Sequence, residues 1–267
     1  MLTFLFWNTC RNDLESVVSR LAERHRVDVL MLAESSMFSG TLLQRLNAGR
    51  DADFFPASTE ADKVAVYTRF SASFLQRHTT SPRYTIWRLA LPARQEILLA
   101  AAHFPDKLYQ SPFSAQSDCT QLARDLRLAE TEVRHERTLL VGDLNMNPFE
   151  AGVVDTRGLN AVMTRELAKR KPRVVQMERY PFFYNPMWRF FGDSGDHPPG
   201  TCYYRISPFL WSIYDQVLVR PDLLRCFQSE TLRILDSDGA VPFLTRRGLP
   251  DRPRVSDHLP IVFQLQL

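Results

Sequence analysis

The sequence predicts a mixed α/β protein, and three observations carry that expectation. Short apolar runs (2–7, 27–33, 97–103, 138–141 and 261–267) alternate with stretches whose apolar residues recur three and four positions apart. Between 63 and 103, successive runs follow one another with only short polar turns, which predicts a mostly antiparallel meander. The runs also stop at Asn, Asp, Glu or His, and strand ends are where open α/β sheets assemble their sites.

Taken in order, residues 2–7 form a first buried strand ending at Asn8. Asn12 or Asp13 is placed to cap a helix over 14–24, with Leu14, Val17, Val18 and Leu21 on one face. A second strand, 27–33, ends at Glu34, and a helix over 41–48 follows. Residues 63–68, 72–76, 85–91 and 97–103 read as the meander, and 114–135 as a long helix through Leu122, Leu126 and Leu128. After the strand 138–141, a helix is expected over 160–169, ending in a basic run to Arg173. An aromatic, proline-rich stretch fills 180–191. Strands follow at 212–219 and 230–235, then a basic loop at 246–254 and a closing strand at 261–267. No repeat, linker or low-complexity segment divides the 267 residues, so one domain is expected.

Composition narrows the class. Hydrophobic residues make up 45% and charged residues 24%, as in ordinary globular proteins. A net charge of +3 says little about partners, but only four of the 33 basic side chains are Lys. Arg forks suit phosphate oxygens, and genomic codon bias explains the same excess. Cys10, Cys119, Cys202 and Cys226 are scattered with no C-x-x-C pair, which argues against a zinc knot or disulfide framework and suits a cytoplasmic setting. The apolar start Met1–Trp7 is too short for a signal peptide or a membrane span.

Residues 138–148 concentrate the chemistry. An apolar run ends in Gly142, then sets Asp143 and Asn145 two residues apart, on one face of extended chain. A carboxylate there can hold a divalent cation or take a proton from water; the amide can donate to a phosphate oxygen. Alone, the stretch equally suits a strand ending in a turn. Asn8, Glu34, His103, Asp215 and the pair Asp257-His258 stand in comparable places beside other apolar runs, and so many coincidences favour a site.

Together Trp7-Asn8, Ala33-Glu34, Ala102-His103-Phe104, Gly142-Asp143-Leu144-Asn145, Tyr214-Asp215-Gln216-Val217-Leu218 and Ser256-Asp257-His258-Leu259-Pro260 resemble, in order, the motifs of the endonuclease/exonuclease/phosphatase superfamily. The resemblance implies a four-layer α/β/β/α sandwich and Mg²⁺- or Mn²⁺-dependent hydrolysis of phosphate esters. It assigns the metal to Glu34, with Asn8 and Asp257. Asp143 would align or deprotonate the attacking water, Asn145 would donate to the phosphate, and His103 would stabilise phosphoryl oxygens. His258 would contact the scissile phosphate, with Asp215 fixing its tautomer. The general base is left open between Asp143 and His258. Abasic-site nucleases place a tyrosine between the His103-type and Asp143-type motifs; only Tyr109 falls in that interval here, close behind His103.

Arg252 and Arg254 precede Asp257-His258 closely and are expected to meet substrate, whereas the run 169–173 reads as solvated charge. The aromatic stretch 180–191, with Tyr203 and Tyr204, offers a base-stacking platform or lipid-facing rim, but a loop packed on the core is favoured. His25, His78, His135 and His197 fit no motif and are expected at the surface. The leading expectation is a nuclease or related phosphodiesterase with nucleic acid as its partner. A soluble phosphatase or phospholipase-type enzyme on inositol phosphates or lipids is the alternative, and a non-catalytic binding module of the same fold is a remoter one.

Overall fold

The structure is a computed structural model that describes residues 1–48, 53–59, 62–108, 111–192 and 197–267. The chain begins with β1 (Leu2–Asn8), α1 (Glu15–Arg24), β2 (Val29–Ala33) and α2 (Ser39–Asn47). The short β3 (Phe55–Pro56) and β4 (Val64–Thr68) lead to the meander β5 (Leu75–Thr80), β6 (Tyr84–Leu89) and β7 (Ile97–His103). Helix α3 (Pro112–Val133) and β8 (Thr138–Asp143) follow, then the one-turn α4 (Ala151–Val154), β9 (Ala161–Val162) and α5 (Arg165–Ala168). Small strands β10 (Arg173–Val175), β11 (Glu178–Tyr180), β12 (Phe183–Tyr184), β13 (Cys202–Tyr203) and β14 (Trp211–Ser212) precede β15 (Asp215–Val219), β16 (Phe227–Ile234) and β17 (Ile261–Leu265).

Two large sheets result, one ordered β16-β17-β1-β2-β4-β3 and the other β5-β6-β7-β8-β15-β12-β9. Pairing is mainly antiparallel; β1 with β2, β7 with β8, and β9 with β12 are parallel. Parallel neighbours need a crossover, which α1 supplies for the first pair and α3 for the second. The two-residue period then sorts the second sheet's side chains. Trp87, Leu99, Leu139, Val141 and Val217 share one core with the first sheet, α1 and α2. Ile86, Leu98, Ala100, Leu140 and Leu218 pack instead with Cys119, Leu122 and Leu126 of α3. The architecture is the four-layer α/β/β/α sandwich implied by the motif order.

Two packing details hold the second sheet in place. Gly142 is closely overlaid by β7: a Cβ there would lie 2.1 Å from the Ala102 carbonyl oxygen. The buried Arg220 donates to Glu130 (Nε–Oε1 2.7 Å) and to the Pro181 carbonyl (2.7 Å), and lies 3.8 Å from the Phe183 ring centroid. It thus ties α3 to the aromatic stretch. Removing one partner from such a buried pair costs about 3–5 kcal/mol.

Several local expectations are corrected. Asn12 does not cap α1; its Nδ2 donates to the carbonyls of Arg252 and Val255 (both 2.8 Å), and Leu14 occupies the cap position without a side-chain bond. The helix expected over 160–169 is a two-residue strand and the one-turn α5, because Asn160 takes a left-handed φ of 50° and donates to Tyr180 and Pro181 carbonyls. Residues 72–74 form a 3₁₀ turn rather than strand. His78 and His135 are largely covered, the first meeting Glu132 (3.0 Å) and the second Glu96 (3.2 Å). The aromatic stretch does pack as expected, with Phe183, Met187 and Phe190 buried. Tyr109 lies outside the described residues. Among the described residues, no helix is long and apolar enough to cross a membrane.

Candidate active site

The polar residues at the strand ends converge where the two sheets meet. Asn8 ends β1 and Glu34 follows β2 in the first sheet; His103 and Asp143 end β7 and β8, directly opposite each other in register. Asp215 begins β15 opposite Asp143. His258 enters from the loop before β17, in the other sheet. β15 and β17 do not lie side by side. The Asp215–His258 contact is made across the two sheets, because β15 pairs with β8 and β17 with β1.

That contact is short. Asp215, fully buried, accepts from His258 Nδ1 at 2.8 Å. Burial pushes the Asp215 pKa up and the neighbouring His258 charge opposes it; as a carboxylate Asp215 only accepts, which assigns the proton to Nδ1 and leaves Nε2 facing Asp143 Oδ2 at 3.8 Å. Burial alone would discharge the imidazole, but Asp215, Cys202 and Asp143 raise its pKa well above the usual histidine value. The loop is fixed by three more bonds. Trp7 Nε1 donates to the His258 carbonyl (2.9 Å), Ser256 Oγ to the Asn8 carbonyl (2.7 Å), and the His258 N–H to Ser256 Oγ (3.0 Å). On the other side, Thr201 Oγ1 accepts from the Tyr214 and Asp215 N–H groups (both 3.1 Å).

Asp143 sits at the centre. Its Oδ2 accepts from Asn8 Nδ2 (2.9 Å) and has His103 Nε2 at 3.9 Å; its Oδ1 accepts the Asn145 N–H (2.9 Å). Asn145 adopts φ 49°, and its side-chain amide donates to the Phe104 carbonyl (2.8 Å). One amide hydrogen remains for another acceptor. The turn behind it is locked by Asn147 Oδ1, which accepts from Ile213 N–H (2.8 Å), and by Gln216, which donates to the carbonyls of Met146 (2.5 Å) and Ile213 (3.1 Å).

Glu34 lies at the cleft's edge with its carboxylate one-third exposed, 3.4 Å from His103 Nε2 and from Asn8 Nδ2. The His103 bond outweighs burial, and with Asn8 and His258 it holds the Glu34 pKa down to about 2. Glu34 thus offers a charged, partly open carboxylate to a hard divalent ion, while Asn8 faces it with Nδ2 and its Oδ1 accepts the Cys10 N–H (3.0 Å). Asp257 lines the same cleft but pairs with Arg252 (3.4 Å). Among the described residues, Asp143, Asp215 and His258 also place ligand atoms within 4.8 Å of one another, near enough to hold a metal ion.

The cleft, about 390 Å³, is lined by Glu34, Asp143, Asn145, Asp257, His258 and Arg252, among others. Arg254 is exposed and does not line it. Tyr204, named with the aromatic stretch, lies on the cleft wall; sequence reasoning missed Lys107 there and gave Tyr214 no role of its own, and Lys107 Nζ lies 5.0 Å from the Tyr214 ring centroid. Sequence reasoning also missed the bracing roles of Trp7, Ser256 and Thr201. Trp7 and Ser256 stood within recognised motifs; Thr201 carried no separate signal.

Residues 5–258 match the Endonuclease/Exonuclease/phosphatase family. No curated protein matches the chain. Among solved structures, the chain is similar to an AP endonuclease from Archaeoglobus fulgidus (15% identity, TM-score 0.57, all of both chains covered). It is similar to the 3′ phosphatase NExo from Neisseria, bound to a product DNA hairpin (17%, 0.57, all of both chains). The human Nocturnin catalytic domain with bound sulfate is a third (15%, 0.55, covering 99% of this chain and 94% of that one). At these identities the likeness shows a shared fold.

Proposed function

Because the chain belongs to the endonuclease/exonuclease/phosphatase family, whose members hydrolyse phosphoesters, we propose that it is a Mg²⁺- or Mn²⁺-dependent phosphodiesterase acting on nucleic acid in the cytoplasm. The observation that carries this reading is the buried Asp215–His258 pair (2.8 Å), aimed past Asp143 into a cleft edged by Glu34. The DNA product in the Neisseria neighbour supports a nucleic-acid substrate.

Glu34 would hold the ion, joined by Asn8 once its amide turns to present Oδ1, with Asp257 on the same wall. A bound divalent ion supplies Lewis-acid polarisation of the phosphoryl oxygens. The chain's own residues do the rest. His258, its Nδ1 proton fixed on Asp215, presents Nε2–H as a charged donor to a phosphoryl oxygen. A group held in its protonated form serves poorly as a base, so the base role falls to Asp143, which accepts the proton of the attacking water. His103 and the remaining Asn145 hydrogen add donors from the opposite side, and Arg252 meets the neighbouring phosphate. The donors are fixed before substrate arrives, so they need no reorganisation as charge develops.

A substrate panel tests the reading. Purified protein with Mg²⁺ or Mn²⁺ is offered single- and double-stranded DNA, RNA, an abasic-site duplex, inositol phosphates and sphingomyelin. Cleavage of at least one nucleic acid is expected; turnover confined to the last two would reassign the substrate.

A further inference from the structure

A second cavity, about 630 Å³, opens beside the catalytic cleft and shares Arg11 and Glu34 with it. We infer that this cavity receives the nucleoside attached to the scissile phosphate, an inference that rests on the phosphodiesterase reading above. Its size lies in the range of small-ligand sites, about 300–1,000 Å³, which suits one nucleoside rather than a stacked helix.

Its chemistry is that of a nucleoside site. Leu32, Met37 and Ala65 supply apolar surface, and Tyr67 and Phe38 add aromatic rings. Phe38 is 71% exposed, an open ring on which a base can stack. Its position depends on Gly40, where a Cβ would come within 2.8 Å of Phe38 Cε1.

Most of the cavity's hydroxyls are already engaged. Ser36 Oγ donates to the Arg11 carbonyl (2.6 Å), Ser58 Oγ accepts the Val66 N–H (2.7 Å), and Thr59 Oγ1 donates to Asp62 (3.1 Å). Ser35 Oγ is buried with no partner. A buried hydroxyl without a partner is unfavourable; this one is closed to solvent as it stands, and a turn about χ1 would bring it to a sugar hydroxyl or base edge in the cavity that Ser35 lines. The backbone sets up this arrangement: Glu34 takes a left-handed φ of 46°, uncommon for a side chain of its kind. The turn lets consecutive residues serve neighbouring spaces, Glu34 the catalytic cleft and Ser35 the cavity.

The test compares kcat/KM for a dinucleoside monophosphate with that for bis(p-nitrophenyl) phosphate, in the full chain with Mn²⁺. In Phe38→Ala the ratio should fall roughly five- to a hundred-fold, the worth of one stacked base, mainly through KM. Ser35→Ala should lower it in the same direction. An unchanged ratio in folded variants overturns the inference, and an equal KM penalty for inositol phosphates overturns the nucleoside class. If the wild type hydrolyses neither diester, the phosphodiesterase reading fails by itself. The cavity is then judged by calorimetry with adenosine monophosphate. Binding that Phe38→Ala weakens supports the site, and no binding by the wild type overturns it.

Discussion

Replacing Asp215 with Asn leaves the shape of the site while removing one charge. Asp215 is fully buried, and its Oδ2 lies 2.8 Å from His258 Nδ1. A carboxylate this close favours the imidazolium, and a hydrogen bond to a charged group contributes about 1.5–3 kcal/mol. If that stabilisation is expressed in the transition state, Asp215→Asn costs about ten- to a hundred-fold in kcat. His258→Ala should cost as much or more, and the double variant should match the poorer single one, since the carboxylate acts only through the ring. The pH profile has a definite sign. With charged His258 the working form, wild-type activity falls as pH rises through the raised His258 pKa; in Asp215→Asn that pKa drops, so the alkaline limb moves to lower pH. The assay is kcat against pH for the four proteins of the cycle, with folding checked by circular dichroism. Losses that multiply independently, or an alkaline limb that stays in place, would refute the reasoning.

Three other outcomes are expected. EDTA should abolish hydrolysis and Mg²⁺ or Mn²⁺ restore it, while Glu34→Ala weakens metal binding in calorimetry; unchanged affinity would remove Glu34 from the ion. Asp143→Asn should fold normally and lose about 10²–10⁴-fold in turnover, the usual worth of a general base, and a near wild-type rate would return residues 138–148 to a simple turn. Asp62, which accepts from Arg77, Thr59 and Thr85, has its pKa held down to about 2 from 3.8. Its stabilisation, about 2 kcal/mol, is present above pH 4 and lost as pH falls towards 2. Asp62→Asn should therefore flatten the acid limb of a urea-melt pH series, and an identical limb would count against it.

The site was far more legible than its framing. Asn8, Glu34, His103, Asp143 and Asp215 could be read because an apolar run that stops at a polar residue marks a strand end, and strand ends meet. The partnership of Asp215 with His258 was legible too, but not its geometry. β15 and β17 are both short, largely apolar five-residue strands, and nothing in their period tells which sheet either joins. Asn12 looked like a cap because sequence shows only its distance from the helix, not the Arg252 and Val255 carbonyls that claim it. The region from 160 to 185 misled for a related reason. Apolar spacing at 161–168 suits a helix, but the buried hydrogen bonds of Asn160 and Arg220 hold that chain in short strands.

The division of the site between two sheets has a consequence for how the protein becomes active. The second sheet, with His103, Asp143 and Asp215, is drawn from the middle of the sequence; the first joins its opposite ends, Leu2 of β1 facing Leu265 of β17. Contacts so distant in sequence are slow to form. During synthesis, the part carrying Asp143 and Asp215 exists before His258 does, and Asp215 then has no ring to neutralise it. Catalytic competence is thus a property of the finished sandwich. On the proposed reading, a nascent chain would hold most of the catalytic groups and none of the activity, and a lesion that lets the sheets slide past each other would silence the site while each sheet is still intact.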